Sequence, residues 1–275
     1  MKKTLTLFAL LFLTSYAAAQ TTETKPPITQ SNQTLLTEHK WLSAPLIYDT
    51  AAYFTNLKNG DSVVSPFVVQ FGMSAWGIAP AEHKHPKTGH HHLLVDIPLS
   101  LAPTASVPFS KNYMHFGKGQ MQTVLDLPPG RHTLRLLLAD YAHVPHMVFS
   151  PELVVNVTER SAAKAEQFKK IEPELSFPNL NDGGTVANQF KVLFHAAGLN
   201  IGSKLARAPD TGYFQLKITT NAGKTERLAF PSGQTEVWLK MPDGDYKFQL
   251  EYIKNPSGEV HSVTSKAISL RVGKR

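Results

Sequence analysis

The chain of 275 residues contains no cysteine. That excludes disulfides, thiolate metal sites and a lipid-modified cysteine at a processing site. Any metal held by this chain must be bound through nitrogen, oxygen or thioether sulfur. Long apolar runs are also scarce. The stretch from Leu5 to Leu13 is too short to cross a bilayer as a helix, which takes about 20 residues, and no later stretch is longer and apolar. Charge of one sign is not dense either. The formal net charge is +7, or +5 without Lys2 and Lys3, and no Lys/Arg run interleaves with aromatics. Such a balance reads as a solvated basic surface, not as a nucleic-acid interface. Catalytic signatures are missing as well. There is no His-Glu-x-x-His, no Gly-x-Ser-x-Gly, no Gly-x-Gly-x-x-Gly and no Walker loop. Glu82 is the only glutamate near the histidines, so no general base stands out and an enzyme is not the expectation.

What is present begins with an export signal. Lys2 and Lys3 precede the apolar run, and Ala17-Ala18-Ala19 supplies small residues before Gln20. Residues 1–19 therefore read as a secretory signal peptide, and the expected location is the periplasm or the exterior, with no transmembrane segment. The remaining ~255 residues suffice for one or two full domains. Residues 20–47 are polar and Thr/Gln-rich and read as a flexible N-terminal segment, with Trp41 and its successors apolar enough to serve as a lead-in.

From residue 48 the chain turns to short β-rich runs bounded by glycine and proline, and it does so twice. Phe54-Thr55-Asn56-Leu57 matches Phe177-Pro178-Asn179-Leu180, and the same offset of 123 aligns Phe67 with Phe190 and Phe71 with Phe194. After a middle loop the offset becomes 114, which aligns Phe116 with Phe230, Leu125 with Leu239 and Gly130 with Gly244. Regular short strands with Gly/Pro turns predict an all-β fold of two tandem immunoglobulin-like β-sandwich domains. The expected limits are 48–158 for a His-rich first domain and 174–273 for a degenerate second copy. Residues 159–173 are rich in Ala, Lys and Glu and predict a short helical linker.

Twelve histidines occur, and nine lie between His83 and His146. The duplication sorts them. On the strand through residues 88–97, alternate side chains point to opposite faces. Phe214, Leu216 and Ile218 form the apolar series in the second copy, so their counterparts His91, Leu93 and Val95 face the core. His90 and His92 then share the other face, with Cα atoms about 6.6 Å apart. Two imidazoles at that spacing converge on one ion at ~2.0–2.1 Å per bond. His115 aligns with Ala229 and His146 with Val260, so the fold itself does not demand histidine at those positions. The candidate ligand set is His90, His92, His115 and His146, with His91, His143, His83 and His85 as alternates. Imidazole suits copper or zinc, and the Irving–Williams order favours Cu²⁺. Met114 and Met147 are possible soft ligands for Cu⁺, and Asp96 and Asp140 possible orienters of histidines. His132 aligns with Tyr246 and predicts a corner hydrogen bond to backbone.

The ordered strings Gly89-His90-His91-His92-Leu93-Leu94-Val95-Asp96, His115-Phe116-Gly117-Lys118-Gly119-Gln120, Leu127-Pro128-Pro129-Gly130-Arg131-His132-Thr133-Leu134, Leu137-Leu138-Ala139-Asp140 and His143-Val144-Pro145-His146 resemble a bacterial exported domain family of unknown function. The resemblance covers roughly residues 53–158. It implies compartment and domain limits and no activity, and the second copy departs at each of these histidines.

A hydrolase or oxidoreductase with a histidine-bound metal and an open coordination position is disfavoured by the missing signatures, and two further functions compete on these residues. One is a periplasmic metal-binding module for copper or zinc, sited in the first copy. The other is a non-enzymatic envelope interaction or adhesion protein with structural or pH-sensing histidines. Histidines concentrated in one copy favour the first, with another envelope protein as a possible partner.

Overall fold

The computed structural model describes residues 39–46, 51–99 and 106–273. The expected signal peptide and residues 20–38 of the expected flexible segment lie outside them. Within that segment, residues 39–44 are not a free tail. Trp41 is buried in the larger core, Leu42 bridges Leu239, and Lys240 N donates to Trp41 O. The indole is apolar enough to hold the lead-in against the second half.

The first half contains β1 (Ala52–Phe54), β2 (Asp61–Ser65), β3 (Phe67–Met73), β4 (Gly77–Ile78) and β5 (Thr88–Val95). It continues with β6 (Tyr113–His115), β7 (Gln122–Leu125), β8 (Gly130–Ala139), β9 (Pro145–Phe149) and β10 (Leu153–Arg160). One sheet runs β1-β3-β7 and the other β2-β10-β8-β5-β4, with β6 on β5 and β9 on β8. Helix α1 (Ala162–Gln167) follows, capped by the Ser161 hydroxyl, which accepts from Lys164 N.

The second half opens with β11 (Glu174–Ser176), β12 (Gly184–Val186), β13 (Gln189–Leu193), β14 (His195–Ala197) and β15 (Gly212–Thr220). It closes with β16 (Thr225–Ala229), β17 (Glu236–Lys240), β18 (Gly244–Lys254), β19 (Val260–Thr264) and β20 (Ile268–Val272). Its larger sheet runs β12-β20-β18-β15-β16, which matches β2-β10-β8-β5-β6 of the first half; β4, parallel to β5, has no counterpart on that path. The registers agree residue by residue. His92 pairs with His115 as Gln215 pairs with Ala229, and His90 pairs with Ala139 as Tyr213 pairs with Ile253. The aromatic contacts repeat too, with ring centroids 4.9 Å apart for Phe71–Phe116 and 4.8 Å for Phe194–Phe230. The chain is thus nearly all β, as its alternating apolar runs predict.

Strand β5 shows why the pattern folds this way. Leu93 and Val95 pack inward with Leu134, Leu136 and Val155. Leu94 points the other way, into a small cluster with Val107, Tyr113 and Leu137. Each fully buried leucine stabilises by ~1.5–3 kcal/mol. Both faces of β5 are therefore covered, and all eight of its residues are buried.

The described residues from 39 onward form one compact unit, and the larger core crosses from half to half. Met73, Ile78, Met121, Leu138 and Val148 join it from the first half. The halves meet by reciprocal bonds. Ile78 N donates to Gly233 O at 2.8 Å, and its counterpart Ile201 N donates to Gly119 O at 2.8 Å. Between them the Thr235 hydroxyl accepts from Met73 N and donates to Met73 O, each at 3.0 Å.

Candidate metal centre

Four imidazoles converge on the outer face of β5. His90 and His92 come from alternate positions of the strand, so both leave the same side. Strand β6 adds His115 directly opposite His92. The β8–β9 turn adds His143, whose φ of 64 is left-handed. That turn is held by Asp140. Its Oδ1 accepts from Ala142 N at 2.8 Å and Val144 N at 2.9 Å, while His143 N donates to Asp140 O at 3.0 Å.

The ring nitrogens face one another. Nε2 of His90 and His92 lie 3.1 Å apart, and Nε2 of His115 and His143 lie 3.2 Å apart. One ligand atom from each of His90, His92 and His115 lies within 4.8 Å of the other two, so these three can hold a metal ion. Around a tetrahedral ion with bonds of ~2.05 Å, ligand nitrogens stand about 3.3 Å apart, close to the spacings here. His90 and His92 are buried, and their Nδ1 atoms have no partner.

Burial keeps these rings neutral, the form that binds metal. Desolvation, then the neighbouring His92, His115, His143 and His91, lower His90 to about 2. Burial, followed by His115, His143 and His91, lowers His92 to about 3. His115 is lowered by burial and then by His143. Among the described residues no carboxylate acts on any of the three.

The other candidates lie elsewhere. His146, expected as a ligand, stacks on Trp76 with centroids 4.3 Å apart and lines a separate cavity of about 240 Å³ with His83 and His85. The turn after Asp140, with His143 at a positive φ, carries His143 to the cluster in its place. His83 Nδ1 bonds the Ala206 carbonyl at 3.0 Å. His91 faces the core as expected, against Phe71 and the Gly72 carbonyl, and burial lowers it to about 4. His132 makes the expected corner bond, Nε2 to Pro128 O at 2.9 Å, as Tyr246 donates its hydroxyl to Pro242 O at 3.1 Å. Asp96 orients His132, not a cluster histidine. Met114 packs on the core and Met147 is exposed, so both keep packing or surface roles.

Two contributors escaped the sequence reading. Phe109 lies against His92, His115 and His143, with centroids 6.1, 5.0 and 5.1 Å away. Its loop is tied to the His143 turn, with Val107 N donating to His143 O at 2.9 Å and the Ser106 hydroxyl to Ala142 O at 3.0 Å. Gly117 makes room for the His115 ring. A Cβ there would sit 2.2 Å from Cε1 and 2.3 Å from Nε2. Neither role leaves a periodic signal, since both depend on loops that meet only in the folded chain.

The second half fills the same place with an ion pair. Gln215, the counterpart of His92, donates to Glu251 at 2.7 Å, and Arg227 Nε donates to the same carboxylate at 3.2 Å.

A family model for a domain of unknown function, DUF4399, matches residues 69–158, a span that contains all four cluster histidines. No curated protein matches the chain. Among solved structures, it is similar to the fibronectin(III)-like modules of Clostridium thermocellum CbhA at 9% identity, with a TM-score of 0.26, covering 82% of this chain and 94% of that one. A two-domain fibronectin type-III segment of chicken tenascin is similar at 12% identity and a TM-score of 0.21, over 82% of this chain and 98% of that one.

Proposed function

We propose that this protein is an exported, periplasmic metal-binding β-sandwich protein whose site is His90, His92, His115 and His143, for copper or zinc. The carrying observation is the convergence of four imidazoles whose Nε2 atoms face one another in pairs at 3.1 and 3.2 Å. In each facing pair only one Nε2 can donate to the other, whereas a shared ion would take the lone pairs of all four. The two halves are read as two immunoglobulin-like domains, 48–158 and 174–273, joined through α1, the second without a metal. The Lys2-Lys3 start, the apolar run and Ala17–Ala19 support export. Binding, not catalysis, is the proposed role, because the cluster brings imidazoles together without a nucleophile or a carboxylate base. A pH-sensing role is disfavoured, since His90 and His92 are held near 2 and 3, below the range in which an ordinary histidine switches.

The test is calorimetric titration of tag-free protein with Cu²⁺ and Zn²⁺, beside a His90→Ala/His92→Ala variant. Stoichiometric binding that the variant loses is the expected result. Binding no tighter than millimolar would sink the metal reading and leave an interaction protein with structural histidines.

A further inference from the structure

We infer that the imidazole cluster selects a monovalent ion, Cu⁺, over Cu²⁺ and Zn²⁺. The inference rests on the metal reading and adds the charge of the ion. Ligand softness does not decide the matter, because imidazole accepts both copper and zinc. Charge does.

All the converging ligands are imidazoles, which bind metal in their neutral form, and among the described residues no carboxylate joins them. The two acids closest in sequence are committed elsewhere. Asp140 caps the turn at Ala142 and Val144, and Asp96 accepts from His132 and from Thr133 N. The outer nitrogens are equally bare. A metal-bound histidine ordinarily donates its second N–H to a carboxylate or carbonyl, which raises its basicity. Nδ1 of His90 and of His92 has no such partner. Phe109 adds a hydrocarbon ring beside three of the imidazoles rather than a charge.

A divalent ion would therefore bring two uncompensated charges against His90 and His92, both 0% exposed. The cost of burying an ion grows with the square of its charge, so it falls about fourfold from +2 to +1. Cu⁺ also accepts trigonal or tetrahedral nitrogen donors and so suits the spacing of the cluster.

The experiment measures three affinities on the tag-free protein. Cu⁺ is competed anaerobically against bicinchoninate in the presence of ascorbate, and Cu²⁺ and Zn²⁺ against chelators of known affinity. The expected result is a Cu⁺ Kd at least ~10-fold below that for Cu²⁺, which lifts the bound copper couple above the aqueous one by about 59 mV per decade. A second arm places a carboxylate beside the rings. Phe109 is 57% exposed, so Phe109→Asp should fold, and it should lower the Cu⁺ preference at least tenfold while Phe109→Asn leaves it. Tighter Cu²⁺ or Zn²⁺ than Cu⁺, or a preference unmoved by the aspartate, overturns the inference and leaves the metal site standing. No binding of any of the three ions overturns the metal reading, and this inference with it.

Discussion

His92 and His115 face each other across the β5–β6 ladder, and the same register in the second half pairs Gln215 with Ala229. One backbone position thus carries converging imidazoles in one half and an alanine in the other. The sandwich does not need the histidines, so what they do is separable from folding.

That separation gives a prediction at Gly117. Alanine there would meet first the end of the His115 ring, a side chain that can turn about its own bonds, and then the Ala81 Cβ at 3.1 Å, which needs to give by only a few tenths of an ångström. Gly117→Ala should leave the unfolding midpoint almost unchanged and weaken metal binding by roughly 10–100-fold, the range seen when a ligand loses its support. His115→Ala, which installs the residue found at Ala229, should weaken binding further and still fold. Equal losses of stability and affinity in Gly117→Ala would count against a positioning role.

The contact between the halves behaves oppositely. A Cβ on Gly119 would sit 1.9 Å from Ile201 O, and one on Gly233 2.2 Å from Ile78 O, both from positive φ. Here the obstacle is backbone and cannot turn aside. Gly119→Ala and Gly233→Ala should each cost at least ~1–3 kcal/mol from conformational strain alone, with the clash added. Urea denaturation of the two variants checks whether the costs match, as the reciprocal bonds require.

The metal-free protein should lose stability in acid. Burial lowers His91 to about 4, His195 to about 4, His92 to about 3 and His90 to about 2. The unfolded chain takes up protons below about pH 6.5 that these folded rings refuse, so their contribution is complete above that value and declines as pH falls toward the folded values. Each histidine adds a slope of up to ~1.4 kcal/mol per pH unit. Denaturant midpoints between about pH 4.5 and 8 should fall steeply on the acid side. A flat profile would mean the rings are not buried neutral.

His132 should run the other way. Burial pulls its pKa down, but the bonds to Asp96 at 2.7 Å and to the Pro128 carbonyl outweigh this and raise it. Both nitrogens donate only in the protonated ring, so its contribution is full below about pH 6.5 and fades as pH rises through the folded value. His132→Ala should cost ~1.5–3 kcal/mol at low pH, with metal affinity unchanged. His132→Tyr should recover part of it, because Tyr246 makes the corresponding bond to Pro242 O.

The duplication made much of this legible. The offsets of 123 and 114 aligned His92 with Gln215 and His115 with Ala229, and strand alternation put His90 with His92 and His91 with the core. His132 could be read through Tyr246. Each inference used a local rule, period two along a strand or equivalence between copies, and such rules survive into the fold.

His146 and His143 mark where that reading ended. Copy alignment treats the β8–β9 turn as a strand-to-strand link, but Asp140 caps it into a reversal with His143 left-handed, which sends His143 to the cluster and His146 to Trp76. Local patterns in the chain were enough to establish nearly all-β structure, the repeat, the absence of cysteine ligands, and two histidines on one face. Which distant histidines join them, and that the face is buried, follow from the folded chain alone. Val107, Tyr113 and Leu137 pack with Leu94 on that face from separate segments, and Phe109 lies against His115 there. Burial and convergence there are sums over contacts far apart in the chain, and no local period records them.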